Sequence, residues 1–104
     1  MINDATTALL RAIRARLGDF PGFCLEEISS RSWASVTFAG ARHQLAFRLD
    51  GEGADVAASA FVDGLDSAEF ALRGHILADI ALVSEERTPD RATIRLEALT
   101  VEDS

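Results

Sequence analysis

The fold is decided by the run Ile76-Leu77-Ala78-Asp79-Ile80-Ala81-Leu82-Val83, the densest stretch of β-branched and aliphatic residues in the chain. The later Thr88-Pro89-Asp90 is typical of a turn, because proline presets φ and aspartate hydrogen-bonds its own backbone. A second apolar series follows the turn and consists of Ile94, Leu96, Leu99 and Val101. We therefore predict one long β-hairpin from Glu69 to Glu102.

The turn also sets the register of this hairpin. A three-residue loop at 88–90 predicts three cross-strand pairs, Leu82 with Leu96, Asp79 with Leu99, and Leu77 with Val101. A slip by one residue would put the two apolar series on opposite faces of the sheet. This register is therefore the consistent one.

The first strand of the hairpin is apolar on both faces. One face carries Ile76, Ala78, Ile80 and Leu82, and the other carries Leu77, Ala81 and Val83. A strand of this kind is usually covered on both faces. We expect helices on the first face and a second copy of the chain on the other, with the interface residues Leu77, Ala81, Val83, Leu99 and Val101.

An amphipathic helix is the alternative for the same segment. Asp66-Ser67-Ala68-Glu69 resembles a capping box, and the apolar residues Phe70, Leu77, Ile80 and Val83 fall near helical spacing. Gly74 would then lie inside the helix, at a cost of about 1 kcal/mol relative to alanine. The strand after Pro89 would also lose its natural partner, so the hairpin is our prediction.

The rest of the chain predicts the remaining elements. These are a helix over 3–17 capped by Asn3 and closed by Gly18, strands over 23–29, 32–39 and 42–50 with a turn at Ala39-Gly40-Ala41, and a helix over 54–64. The order is α-β-β-β-α-β-β, which predicts an α+β fold. We expect an antiparallel sheet of about five strands, with two helices packed on one face, in a single domain spanning 1–104.

Composition limits the class of partner and the compartment. The formal net charge of −7 disfavours binding to nucleic acid through phosphates and to anionic membrane surfaces. The one cysteine, Cys24, cannot close an internal disulfide, which favours a reducing compartment. The first residues lack the basic and apolar regions of a signal peptide, and no run approaches the roughly 18 apolar residues of a spanning helix. We expect a cytoplasmic protein with neither nucleic acid nor membrane as partner.

Asp79 is the most unusual polar residue, because a carboxylate inside an apolar run needs a partner or water. Together with His75 and Glu97 it is a candidate for the polar lining of a ligand pocket between sheet and helices. On a strand His75 and Asp79 lie about 13 Å apart, so they do not form an acid–base pair. His43 falls on the apolar face of its strand and is expected to be a core or edge histidine.

No motif predicts a cofactor, a metal or a catalytic group. The segment Gly51-Glu52-Gly53 has Val56 where a dinucleotide fingerprint needs a third glycine. Its acids also do not fit a calcium loop, which needs glycine where Asp55 stands. The six acids of segment 50–69 are Asp50, Glu52, Asp55, Asp63, Asp66 and Glu69. They form either a solvated face or a docking site for a basic protein partner.

Three functional hypotheses follow. The first is a non-enzymatic protein-interaction module that homodimerises through the second face of the hairpin. The second is a small-ligand-binding or enzymatic α+β domain with a pocket near Asp79. The third is a structural subunit of a larger assembly, in which the exposed hairpin face binds a different chain.

Overall fold

A computed structural model of the chain describes residues 4–18 and 20–102. Its elements are α1 (Ala5–Leu17), β1 (Phe23–Ala34), β2 (Ala39–Asp50), α2 (Ala54–Val62), β3 (His75–Thr88) and β4 (Arg91–Glu102), with a short 3-10 turn at Leu65–Ser67 before β3. The strands form one antiparallel sheet in the order β1-β2-β4-β3. The predicted α+β class with an antiparallel sheet and two helices is confirmed.

The predicted number of strands is wrong, because the sheet has four strands and the order of elements is α-β-β-α-β-β. The strand β1 covers the first predicted strand (23–29) and only the start of the second (32–39). The chain reverses at Ser35–Phe38 instead of at 39–41. There the Ser35 N–H donates to the Phe38 carbonyl (2.7 Å) and the Phe38 N–H donates to Ser35 Oγ (3.1 Å). A side-chain hydroxyl therefore closes the turn.

Gly40 lies inside β2 and serves close packing. A Cβ atom at this position would stand 2.0 Å from the Thr100 carbonyl oxygen and 2.9 Å from the Trp33 ring. Glycine in a strand often marks such a close approach of another backbone. The pattern Ala39-Gly40-Ala41 was therefore wrong as a turn.

The hairpin of β3 and β4 is confirmed as a pair of strands, and the predicted pairs Leu82–Leu96 and Asp79–Leu99 are present. The third predicted pair is wrong, because the register shifts between Leu77 and Asp79 and Leu77 pairs with Thr100. An extra residue in a bulge reverses the facing of the residues before it. Leu77 consequently shares a face with Ile80 and Leu82.

The core lies between the two helices and one face of the sheet, which we call the inner face. Its largest fully buried members are Leu9 and Ile13 of α1, Phe61 of α2, Phe47 and Leu49 of β2, and Ile94 and Leu96 of β4. The Phe47 and Phe61 rings meet edge to face, with centroids 5.4 Å apart. We call the opposite side of the sheet the outer face.

Both ends of α1 are satisfied locally. Asp4 is the N-cap, and its Oδ1 accepts a hydrogen bond from the Thr7 N–H (2.7 Å), which lowers the pKa of Asp4. The predicted cap Asn3 lies outside the described residues. Gly18 ends the helix with φ at 69°, and its N–H donates to the Ala15 carbonyl. Neither α1 nor α2 is long and apolar enough to cross a membrane, and no other described helix is.

Candidate functional site

The outer face of the sheet is the surface that neither helix covers, so we describe it by its transverse rows. Residues directly opposite each other in an antiparallel pair lie on the same face, and the register therefore aligns one residue from each strand. The apolar row consists of Trp33, Gly40, Val101 and Ile76, and the charged row beside it consists of Arg31, Arg42, Leu99 and Asp79. Two further rows follow, Ser29-Gln44-Glu97-Ala81 and Glu27-Ala46-Arg95-Ser84.

The apolar row leaves hydrophobic surface in contact with solvent. Ile76 keeps 53% of its surface exposed, while Val101 and Trp33 are half-buried. Val83, in a second bulge of β3, is 54% exposed. Apolar side chains grouped at the rim of a sheet are typical of a protein contact surface.

The charged row is electrostatically unbalanced. Arg31 and Arg42 stand directly opposite each other, and like charges in that position destabilise a strand pair. Asp79 ends the same row on β3. Within residues 4–18 and 20–102, these three side chains have no ion-pair partner.

The other end of the outer face is, by contrast, internally compensated. Arg48 donates to Glu26 and to Asp50, each at 2.7 Å, and Arg91 donates to Asp50 at 2.8 Å. The Arg48 guanidinium holds the pKa of Asp50 below its usual range. Solvent-exposed pairs of this kind contribute little stability, because water and salt screen them. Their main effect is to leave few charges available for a partner.

The five residues predicted for an interface do not share one face. Ala81, Leu99 and Val101 lie in the outer rows, and Val83 borders a shallow outer-face depression of about 130 Å³ with Gln44 and Glu97. Leu77 is the exception, because the bulge turns it inward against the core.

Two of the three predicted ligand residues, Asp79 and Glu97, lie in neighbouring rows of the outer face, and the third, His75, lies at the start of β3. Asp79 and Glu97 are exposed on the outer face, away from the helices, and Glu97 accepts a hydrogen bond from the Gln44 amide (3.5 Å). His75 begins β3, and its Nδ1–H donates to the Arg73 carbonyl (3.1 Å). Of the three, His75 borders a cavity of about 330 Å³ between the start of α1 and the sheet, together with Asp4, Thr6 and Glu102.

A buried polar cluster lies on the inner face around His43, which was predicted as a core or edge histidine, whereas its partners were not predicted. His43 is 1% exposed, with Nδ1 at 2.7 Å from Ser30 Oγ and Nε2 at 2.9 Å from Thr100 Oγ1. Ser30 Oγ also lies 2.8 Å from Thr6 Oγ1 on α1. Burial lowers the pKa of His43, so its ring is neutral at pH 7. The Thr100 hydroxyl donates onward to the Ala41 carbonyl (3.4 Å).

A serine beside a neutral histidine is the pairing that nucleophilic catalysis uses. Here, however, the imidazole is covered on both sides and its second nitrogen contacts a threonine hydroxyl. The cluster gives both ring nitrogens of His43 a hydrogen-bond partner and connects α1 to three strands. The sequence signal for this cluster was the position of His43 on the apolar side of β2. The partners of His43 are set by the register between strands, which the sequence pattern of β2 alone does not give. Among the described residues, no three His, Cys, Asp or Glu side chains are grouped to hold a metal.

The fold is similar to that of a solved chain from the virion of a native gene transfer agent particle. The two chains are 20% identical and superpose with a TM-score of 0.61 over 96% of each. At this identity the likeness concerns the fold. No protein-family model matches the chain, and no curated protein matches its sequence.

Proposed function

We propose that this chain is a structural subunit of a multi-subunit particle. The observation that carries the proposal is the likeness to a virion chain over 96% of both lengths. A likeness of that extent includes both helices and all four strands. It is therefore more than the sharing of a single common hairpin. This is the third of the hypotheses drawn from the sequence, and it now replaces the first as our main one.

The surface of the chain supports the same proposal. An outer face with a grouped apolar row and uncompensated charges is suited to contact with another protein. Self-association stays part of the proposal in the form of a homo-oligomer. The dimer, a basic partner at segment 50–69 and a cytoplasmic location remain predictions.

Particle fractionation tests this function. Lysate and culture medium from cells that produce the chain are separated by sedimentation through a density gradient, and the fractions are analysed by quantitative peptide mass spectrometry. We expect the chain in a fast-sedimenting fraction, in a fixed ratio to the other particle proteins. Recovery in the slow fractions alone, under conditions that preserve particles, would overturn the proposal.

A further inference from the structure

The sheet is open, and its two edges are the unfilled positions of the fold. β1 and β3 each pair with one neighbour only, and no described strand pairs with their outer sides. An unpaired strand edge is a template for another strand. Of the 14 residues of β3, only Ile80 is buried, and β1 has no buried residue.

The direction of the strands decides which edges are compatible. Each of the three pairings in the sheet is antiparallel, so β1 and β3 run in opposite directions. A second copy shifted sideways across the sheet therefore presents its β1 antiparallel to β3 of the first. Sheet extension of this kind needs no two-fold axis between the copies.

The row structure makes the two edges complementary. We place a second copy so that the transverse rows of one sheet run on into the next. Arg31 of its β1 then lies opposite Asp79 on β3 of the first copy, and Trp33 lies opposite Ile76. On the inner face Ile28 comes opposite Leu82, because both belong to the row of Leu45 and Leu96. Opposite charges and aromatic–aliphatic pairs at directly opposed positions each favour strand pairing.

The charged row gives the strongest reason for this arrangement. Arg31 and Arg42 repel each other within one copy, and Asp79 has no ion-pair partner among the described residues. An Asp79 from a neighbouring copy beside Arg31 offsets the repulsion between the two arginines and also gives Asp79 an ion-pair partner. A two-fold pairing of β3 with β3 would leave the two arginines as they are.

The remaining part of the edges opposes close pairing and limits its length. It carries Glu26 and Glu27 on β1 and Glu85 and Glu86 on β3. Three of these acids already have an arginine partner, in the pairs Glu26–Arg48, Glu27–Arg95 and Glu85–Arg87. Bulges also interrupt both edges near these acids. The contact therefore lies along Ile28–Trp33 and Ile76–Leu82, where the bulge at Ala78 sets seven residues of β3 against six of β1.

We infer that copies of this chain associate head to tail by sheet extension, with β1 of one copy pairing antiparallel to β3 of the next and Arg31 opposite Asp79. This inference rests on the proposed function, and it identifies the partner of the proposed subunit as a second copy of the same chain. A contact between two unlike surfaces builds a closed ring or an open filament, and not a two-fold dimer.

Complementary charge reversals test this contact by sedimentation velocity at matched concentrations. Arg31→Glu alone and Asp79→Arg alone should each weaken association about tenfold or more. Mixing the two variants should restore it, because each reversed edge then meets an opposite charge on the other chain. The double variant should restore association by itself. Arg11→Glu and Glu52→Arg make the same charge changes away from the edges and should leave association unchanged.

Cysteine cross-linking gives an independent readout. Ser29 and Ala81 occupy the two ends of one row, so Ser29→Cys with Ala81→Cys, in a Cys24→Ser background, should oxidise to a ladder of multimers. The two single-cysteine chains should give no ladder, although Ala81→Cys alone would cross-link if β3 paired with β3.

Three outcomes would overturn the inference. They are a wild-type chain that stays monomeric at all concentrations, association that Asp79→Arg weakens but Arg31→Glu does not, and a mixture that fails to recover. Circular dichroism of each variant confirms that the fold is retained. The particle fractionation decides the proposed function separately, since a chain can enter a particle through another surface.

Discussion

The central strands and the edge strands of this sheet follow different rules. In β4, buried residues alternate strictly with more exposed ones, and β2 buries Leu45, Phe47 and Leu49 on its inner face. The edge strands β1 and β3 bury one residue between them, and both contain bulges. Central strands thus supply the core, while edge strands supply surface, curvature and uncompensated charge. The difference teaches that the residues that stabilise the fold and the residues proposed for association lie on different strands.

The largest expected effect concerns the centre of the core. Phe47→Ala removes a ring that is fully buried between β1 and α2. We expect the free energy of unfolding to fall by about 3–5 kcal/mol, measured by urea denaturation. The matched change at an edge, Val83→Ala, should cost less than about 1 kcal/mol. Equal losses of unfolding free energy for Phe47→Ala and Val83→Ala would contradict the distinction between central and edge strands.

A smaller effect is expected where an edge strand and two central strands meet. Gly40→Ala places a methyl group 2.0 Å from the Thr100 carbonyl oxygen, so the backbones of β2 and β4 must separate. We expect a loss of about 1–3 kcal/mol in the same assay. The reverse change at the next residue, Ala41→Gly, should cost only about 0.5–1 kcal/mol. A Gly40→Ala variant as stable as wild type would show that the strands are not closely apposed there.

The turn at Ser35–Phe38 is the place where the prediction from sequence differs from the structure. The hairpin of β3 and β4 was predictable because Pro89 and Asp90 carry their turn chemistry locally. In the first hairpin, Gly40 gave a false turn signal, since its role is set by Thr100, which pairs nearby only after folding. Serine closure of the true turn has no comparably strong local pattern.

The candidate site was predictable to a similar degree. Alternation placed Ala81, Leu99 and Val101 correctly on one side of the hairpin, but it could not reveal the bulge that turns Leu77 inward. The pairing of Arg31 with Arg42, likewise, needs the register of two strands. Partners across a sheet are a property of three-dimensional alignment, which periodicity in one strand does not encode.

The buried His43 predicts a dependence of stability on pH. Burial lowers its pKa in the folded state below the ordinary value of about 6.5. The unfolded chain therefore binds the proton first, and the free energy of unfolding should fall as the pH falls from about 6.5 through the folded-state pKa. Urea denaturation between pH 8 and pH 5 measures this fall.

The matched variant is His43→Gln, which keeps a polar side chain between Ser30 and Thr100 but does not titrate. The free energy of unfolding of this variant should lack the part of the fall that begins at about pH 6.5. The difference in unfolding free energy between wild type and variant should therefore narrow as the pH decreases. Parallel pH profiles for the two proteins would show that another group is responsible.

The smallest expected effect concerns an ion pair of an edge strand. Arg87 of β3 pairs with Asp55 on α2 (3.2 Å) and with Glu85 (2.9 Å), and it also hydrogen-bonds Ser59. These side chains are partly exposed, so Arg87→Gln should lower the free energy of unfolding only slightly in urea denaturation, and less in high salt. Arg11→Gln, on the exposed side of α1, is the control and should change stability very little. A large loss for Arg87→Gln would mean that β3 depends on α2 for its position.

The pairing of β2 with β4 has a consequence for the rate of folding. Each hairpin is closed by a short turn, but the seam between them joins Asp50 to Arg91, 41 residues apart, and Ala41 to Thr100, 59 residues apart. Closing loops of that length costs entropy before any contact compensates it. We therefore expect the two hairpins to form early and their joining to limit the rate. Until the seam closes, both sides of each hairpin are open edges, so the newly made chain exposes four unpaired strand edges where the folded chain exposes two.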